Sequence, residues 1–314
     1  MNCFFVFFST AACLGGGLVL CGEMMFGETA FIGPLGFRIK YEDAFMDMRF
    51  PETFLENVWP CGNEFYNVEV ISCGGICPDC VPDGTTTAET MEFTEYLRSG
   101  TVIRYYFGYI DHVRKCYGKI LLRDHDIKVY FDTAHGWPKG KIRVIWQFLL
   151  LEKLLAREGA IMLHSASVVL NGKSVLFSGP SGAGKSTQAD LWKKYVPGAA
   201  GFNGDRNLLI KRDGVWYVCG LPWHGTSDDC ENGMVPLAGI ALLKQETYDA
   251  VSELHPMENF KRVFSEITRN DWDHDYTVSV IDAVQGLITD IPVCELSCTT
   301  EEGSVRCLKN WLGL

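Results

Sequence analysis

The stretch Ile161–Thr187 reads IMLHSASVVL, NG, KSVLFS and GPSGAGKST. Two apolar β-like runs, Ile161–Leu170 and Ser174–Ser178, are separated by Asn171-Gly172, the strongest short hairpin signal a sequence offers. The second run leads straight into Gly179-Pro180-Ser181-Gly182-Ala183-Gly184-Lys185-Ser186. This octet satisfies G-x-x-x-x-G-K-[ST] at every position. Chance alone supplies that pattern in about one chain in a hundred of this length. A β run before it and a helical run from Lys185 to about Tyr195 after it make the match more specific.

Each constraint in the motif has a chemical reason. Glycines let the backbone curl until successive N–H groups point inward at phosphate oxygens. The helix that starts there adds the positive end of its dipole. The spacing therefore predicts a phosphate cradle over Gly179, Ser181, Gly182, Ala183, Gly184, Lys185, Ser186 and Thr187. Lys185 is expected to reach the β- and γ-phosphates, and Ser186 to ligate Mg²⁺. ATP and Mg²⁺ are the implied nucleotide and metal.

Outward from the cradle, Asn207–Lys211 and Val215–Cys219 read as strands that turn at Asp213-Gly214, and Leu237–Leu243 as another. Glu258–Thr268 and Glu301–Trp311 read as helices, with Val293–Ser297 a strand between them. Ile142–Glu158 is apolar nearly all round and stops at Gly159, so it predicts a buried helix. His135–Gly140 reads as a linker. From Phe26 to Thr133, short β-like runs are broken by turn residues, which predicts a small antiparallel unit, with Ala88–Leu97 as a short helix. The predicted organisation is an apolar leader over 1–23, a β-rich accessory domain over 24–140 and a P-loop domain over 141–314. The fold class expected is α/β: a mixed sheet with the P-loop and flanking helices, plus the β-rich N-terminal domain.

The run Leu163-His164-Ser165-Ala166-Ser167-Val168-Val169, Asn171-Gly172 and Val175-Leu176-Phe177-Ser178, followed by the P-loop, resembles the catalytic domain of the HPr kinase/phosphorylase family. The likeness covers about Ile161 to Leu243 and implies a phosphoenolpyruvate carboxykinase-like fold. It also implies transfer of a phosphoryl group from ATP to a hydroxyl on a protein, peptide or small-molecule acceptor. By resemblance, His164 lies near the transferred phosphate. The family's paired aspartates fall at Gly204 and Asp205, so only Asp205 remains to hold metal or to serve as base. The family's glycine-rich segment after that pair has no counterpart here, and nothing before Lys139 resembles its regulatory domain. HPr itself need not be the acceptor.

Without the resemblance, a lone His is as readily structural as catalytic, and Asn203-Gly204-Asp205 is good turn chemistry. The loop holding His224, Asp228, Asp229 and Glu231 suits a substrate-facing edge, though acidic runs are also ordinary solvated surface. Lys244, and Arg262 or Arg269, are candidates to neutralise transition-state charge. A rival function is a non-catalytic nucleotide sensor, for which Gly204 is the best argument. A carboxykinase acting on oxaloacetate is disfavoured, because no metal-binding His/Lys set is evident.

Composition narrows the partners. The formal net charge is -11, and no long Lys/Arg run occurs. Such a chain repels nucleic acid and anionic membranes. Thirteen cysteines, an odd number scattered over a large chain, suggest a reducing, cytoplasmic setting. Cys61, Cys73, Cys77 and Cys80 have spacing that suits zinc or a four-iron cluster; unligated thiols are the preferred reading. Residues Asn2 to Gly22 carry no charge and are almost long enough to span a bilayer. A membrane anchor, a buried strand pair and a leader upstream of Met24 or Met25 all fit, the last being favoured. Oligomerisation stays open.

Overall fold

The computed structural model describes residues 25–42, 50–60, 62–76, 86–90, 93–110, 112–132, 149–225, 227–269 and 273–314. The apolar leader, the predicted linker and residues 142–148 of the predicted helix Ile142–Glu158 lie outside them. So do Cys61, Cys77 and Cys80.

The chain divides into two compact units. The first carries a single sheet. Its strands are β1 (Met25–Ile32), β2 (Leu35–Glu42), β3 (Glu64–Cys73), β4 (Thr86–Glu89), β5 (Phe93–Arg98), β6 (Thr101–Ile110), β7 (Val113–Arg123) and β8 (Asp126–Asp132). Their order is β1-β2-β3-β8-β7-β6-β5-β4. The β2–β3 and β3–β8 pairings are parallel, so this unit is mixed rather than antiparallel throughout. Ala88–Leu97 forms no helix. It supplies the end of β4 and most of β5, which pairs residue by residue with β6. Glu95 on β5 is buried with Arg104 on β6, whose Nη2 lies 2.7 Å from the Glu95 Oε2. Arg104 also lies over the Phe93 ring. Those contacts require an extended segment, and they override the helix formers Ala88, Glu89 and Leu97.

The second unit holds β9 (Ile161–Leu170), β10 (Lys173–Ser178), β11 (Ala200–Asn203), β12 (Arg206–Arg212), β13 (Val215–Cys219), β14 (Met234–Gln245), β15 (Ala250–Glu253) and β16 (Val293–Cys298). Its helices are α1 (Leu151–Arg157), α2 (Lys185–Tyr195), α3 (Pro256–Ser265), α4 (His274–Asp290) and α5 (Glu302–Leu312). The hairpin β9–β10 turns through Asn171 and Gly172, both at positive φ, as the type I′ geometry demands. The strand order is β10-β9-β12-β13-β14-β16-β15, and β10 also pairs with β14 in parallel. That last pairing closes β9, β10, β12, β13 and β14 into a five-stranded barrel.

The expected fold class is therefore corrected. Among the described residues strand outweighs helix, 47% against 24%, and the chain does not form a P-loop α/β kinase fold. The physical cause lies in the strand that feeds the P-loop. It is the second arm of a tight hairpin, and such a turn leaves no room for a crossover helix. Its free edge then meets β14 and shuts the ring.

Side chains alternate along these strands, and both faces are covered. Leu163, Leu176, Leu209, Val218 and Ile240 join Val263 of α3 and Val280, Val284 and Leu287 of α4 in one core. Ala166, Val168, Val175, Phe177 and Leu296 join Trp192 of α2 and Val305 and Leu308 of α5 in the other. Asp273 caps α4, accepting from the Tyr276 N–H at 3.1 Å. These two packed cores hold β9 and the start of α2 in fixed relation.

Candidate functional site

The loop after β10 has the backbone that its glycines permit. Gly179, Gly182 and Gly184 take φ of 150°, 81° and 97°, a region closed to most side chains. α2 opens directly from Gly184 with no side chain capping it, and a helix start of this kind suits an anion. Gln245, at the end of β14, pins the loop from outside by donating Nε2 to the Gly182 carbonyl at 2.8 Å. Lys185 is buried and folds back on the loop, donating to the carbonyls of Gly179 (2.8 Å) and Pro180 (3.1 Å). Burial lowers its pKa, helped by Arg206 and opposed by Glu266 and Asp205. Ser186 is half-buried in the first turn, while Ser181, Gly182 and Thr187 face outward.

Beside the loop lies an ionisable cluster. His164 sits on β9 opposite Arg206 on β12. Its Nδ1 lies 3.1 Å from the Glu266 Oε2, and its Nε2 lies 3.9 Å from the Asp205 Oδ1. Backbone bonds fix the same neighbours: the His164 N–H donates to the Glu266 carbonyl at 2.9 Å, and Ser165 N–H to the Asp205 carbonyl at 3.1 Å. Burial lowers the His164 pKa and the nearby Lys185 charge adds to it, against the raising effects of Glu266 and Asp205. Arg206 Nε stands 3.9 Å from the Asp205 carboxylate, and its guanidinium donates to the Thr268 hydroxyl.

Asp205 is held by a buried amide network. Asn203 is fully buried, and its side chain donates to the carbonyls of Leu221 (3.0 Å) and Trp223 (3.2 Å). Its Oδ1 accepts from the N–H groups of Asp205 (3.2 Å) and Arg206 (3.3 Å). Behind it, Asn207 donates to the Ser165 carbonyl at 2.8 Å and accepts from the Ser167 hydroxyl at 2.7 Å. Satisfied buried networks of this kind fix one backbone arrangement. The turn is thus anchored from within, not merely solvated.

His164, Lys185 and Asp205, singled out in the sequence, are brought together. The acidic loop is arranged differently. Asp229 pairs with Lys193 of α2 at 2.9 Å, while His224, Asp228 and Glu231 are exposed. The loop closes on the Asp205 turn through backbone: Gly204 N–H donates to the Asp229 carbonyl and Glu231 N–H to the Phe202 carbonyl. A Cβ on Gly225 would stand 3.3 Å from the Asp205 Cβ, and one on Gly204 would stand 1.7 Å from the Ser227 Oγ. The three candidate cations are engaged elsewhere. Lys244 pairs with Glu246, Arg262 with Glu295, and Arg269 donates to the Phe264 carbonyl.

Glu266, Arg206 and Asn203 are the members that sequence reasoning missed. Glu266 is 102 residues from His164, and an acid just after a helix carries no local mark of such a role. For the metal, the donors expected from the sequence are hard oxygens, the Asp205 carboxylate and the Ser186 hydroxyl, and Glu266 adds a second carboxylate beside His164. Mg²⁺ takes few protein ligands and keeps phosphate and water oxygens, so this donor set fits it. Among the described residues no group of three or more His, Cys, Asp or Glu could hold a metal alone. The Cys73 thiol donates to the Phe131 carbonyl at 3.1 Å. No described helix is long and apolar enough to cross a membrane. No family model matches the chain, and no curated protein matches it either.

Proposed function

We propose that this protein transfers the γ-phosphoryl group of ATP to a hydroxyl on a protein, peptide or small-molecule acceptor, in the cytoplasm, where ATP is supplied. The observation that carries the reading is the placement of His164, Asp205 and Lys185 in one electrostatic neighbourhood at the start of α2. A glycine-shaped loop that opens an uncapped helix can bind the polyphosphate. Beside it stand a carboxylate and an imidazole able to accept a proton, which is what transfer to a hydroxyl requires.

In the transfer, the acceptor oxygen bonds to the γ-phosphorus while the bond from that phosphorus to the β,γ-bridging oxygen breaks. ADP leaves with that electron pair. The acceptor's proton passes to Asp205, or to His164, whose lowered pKa keeps it neutral near pH 7. Lys185 exchanges its bonds to the loop carbonyls for phosphate oxygens and offsets their charge. Asp205 and Ser186 are the residues that would hold Mg²⁺, which supplies charge neutralisation when bound.

One observation favours a second reading, a nucleotide sensor without catalysis. Where the resembled family carries its first aspartate, Gly204 is packed against Ser227, so the site has a single carboxylate there. Asp205→Asn separates the two readings. With labelled Mg-ATP and candidate peptides or cell extract, a kinase variant still binds nucleotide at saturating Mg-ATP and loses transfer by about 10²-fold or more. Absence of transfer by the unmodified protein to every acceptor, with nucleotide still bound, refutes the kinase reading.

A further inference from the structure

A cavity of about 360 Å³ opens on the far side of the P-loop. It lies beyond the carboxyl ends of three strands that run parallel to one another, β10, β14 and β16. Chain segments leaving such strand ends characteristically frame a ligand crevice. Here β10 continues into the P-loop, β14 into Gln245 and Glu246, and β16 into Thr299 and Thr300. Gly184 and Thr187, in the first turn of α2, form the wall shared with the phosphate cradle.

The chemistry of the lining differs from that of the cradle. No Lys, Arg or aromatic side chain lines the cavity, and Glu246 places a carboxylate on it. A polyphosphate would be repelled there, whereas a neutral group rich in hydroxyl and N–H donors would not. Three of the polar side chains are already committed to structure: Gln188 donates to the Thr299 carbonyl at 3.0 Å and accepts from the Ser304 hydroxyl at 3.0 Å. The Gln245 amide holds the Gly182 carbonyl, and the Thr299 hydroxyl donates to Asp249 at 3.1 Å. The hydroxyls of Thr187 and Thr300 have no hydrogen-bond partner among the described residues. Glu246 pairs through Oε1 with Lys244, which leaves Oε2 for a ligand. The volume lies at the low end of small-ligand pockets, enough for a nucleoside and not for a whole triphosphate.

We propose that this cavity takes the nucleoside half of the nucleotide, with Glu246 accepting hydrogen bonds from the ribose hydroxyls. The proposal rests on the reading of the P-loop as a triphosphate cradle. The tail occupies the loop, and the sugar leaves it over Thr187 into the crevice. Because no aromatic ring is present to stack on the base, recognition falls on the sugar, and discrimination among bases is weak.

Calorimetric titration with the magnesium complexes of ATP, 2′-deoxy-ATP and inorganic tripolyphosphate tests this without a variant. ATP is expected to bind at least about tenfold more tightly than tripolyphosphate, with 2′-deoxy-ATP between them. Glu246→Ala should bring ATP close to the 2′-deoxy value and leave tripolyphosphate unchanged. Thr300→Phe, at an exposed position, should fill the crevice and weaken ATP alone. Equal affinity of the unmodified protein for ATP and tripolyphosphate overturns the proposal while leaving the cradle intact. So does an equal loss for both ligands in Glu246→Ala. If neither ligand binds, the cradle reading fails and takes the proposal with it.

Discussion

Replacing Gly204 by alanine tests why the turn before β12 carries one carboxylate, Asp205, where the resemblance implies two. The backbone φ at Gly204 is not positive, so a side chain there meets no conformational penalty. The obstacle is contact: the new Cβ would sit 1.7 Å from the Ser227 Oγ and 3.1 Å from its Cβ. Rotating Ser227 removes the first clash and not the second, so the 222–231 loop must also shift by a few tenths of an ångström. Overpacking of this size costs about 1–3 kcal/mol. Ser227→Ala alone behaves differently. Its hydroxyl is buried with no hydrogen-bond partner among the described residues, so deletion should be neutral or slightly stabilising. In the double variant only the 3.1 Å contact persists, and a coupling of about 1–2 kcal/mol is expected.

Thermal and urea unfolding followed by tryptophan fluorescence reads the cycle, with about 2–4 °C in Tm for each kcal/mol in a unit of this size. The same geometry predicts that Gly204→Asp fails to restore a second carboxylate unless Ser227 becomes glycine. Wild-type stability in Gly204→Ala, or a double variant equal to the sum of its parts, refutes the packing argument. It would mean that the loop yields freely and that Gly204 has another cause.

Two further outcomes follow from the buried titratable groups. The folded His164 binds its proton less readily than an unfolded histidine, chiefly because it is buried. Between its depressed folded pKa and about 6.5 the unfolded state therefore holds more protons, so this residue's contribution is present above pH 6.5 and is lost as pH falls through that window. Urea midpoints measured from pH 7.5 to 5 should fall less in His164→Asn than in the parent, and equal slopes would refute the assignment. Burial also pushes the thiols of Cys219 and Cys294 up to about 12. Both should resist a thiol reagent at pH 8 in the folded protein and react on unfolding, as mass-mapped labelling would show.

The hairpin and the glycine-shaped loop after it were legible in the sequence because each is written in consecutive residues. Asn171-Gly172 sets its own turn, and the P-loop glycines set their own dihedrals. The barrel was not legible, because what closes it is the parallel pairing of β10 with β14. That pairing joins Val175 to Gly239 and Phe177 to Ala241 across more than sixty residues, and no local pattern distinguishes it from a sheet left open. Ala88–Leu97 failed for the converse reason. Its helix formers are real, but Glu95 finds its charge partner only across a strand pair, on Arg104, and a weak local preference yields to a buried ion pair.

The site divides along the same line. His164 and Asp205 could be singled out by resemblance, yet the resemblance could not say what holds them. Asn203 reads as an ordinary turn residue until its side chain is found bonded to Leu221, Trp223, Asp205 and Arg206 at once. Those four bonds join the end of β11, the start of β12 and the loop that follows β13, three segments that no sequence window spans. The acidic loop is a second instance. Its charges suggested a face turned to substrate; His224, Asp228 and Glu231 are exposed, Asp229 is held by Lys193 on α2, and the loop's backbone approaches Asp205. A carboxylate that is to serve as proposed for Asp205 needs its neighbours fixed more than it needs further charge. The glycines at 204 and 225, which let the 222–231 loop close on the Asp205 turn, are accordingly as much part of the site as the acids beside them.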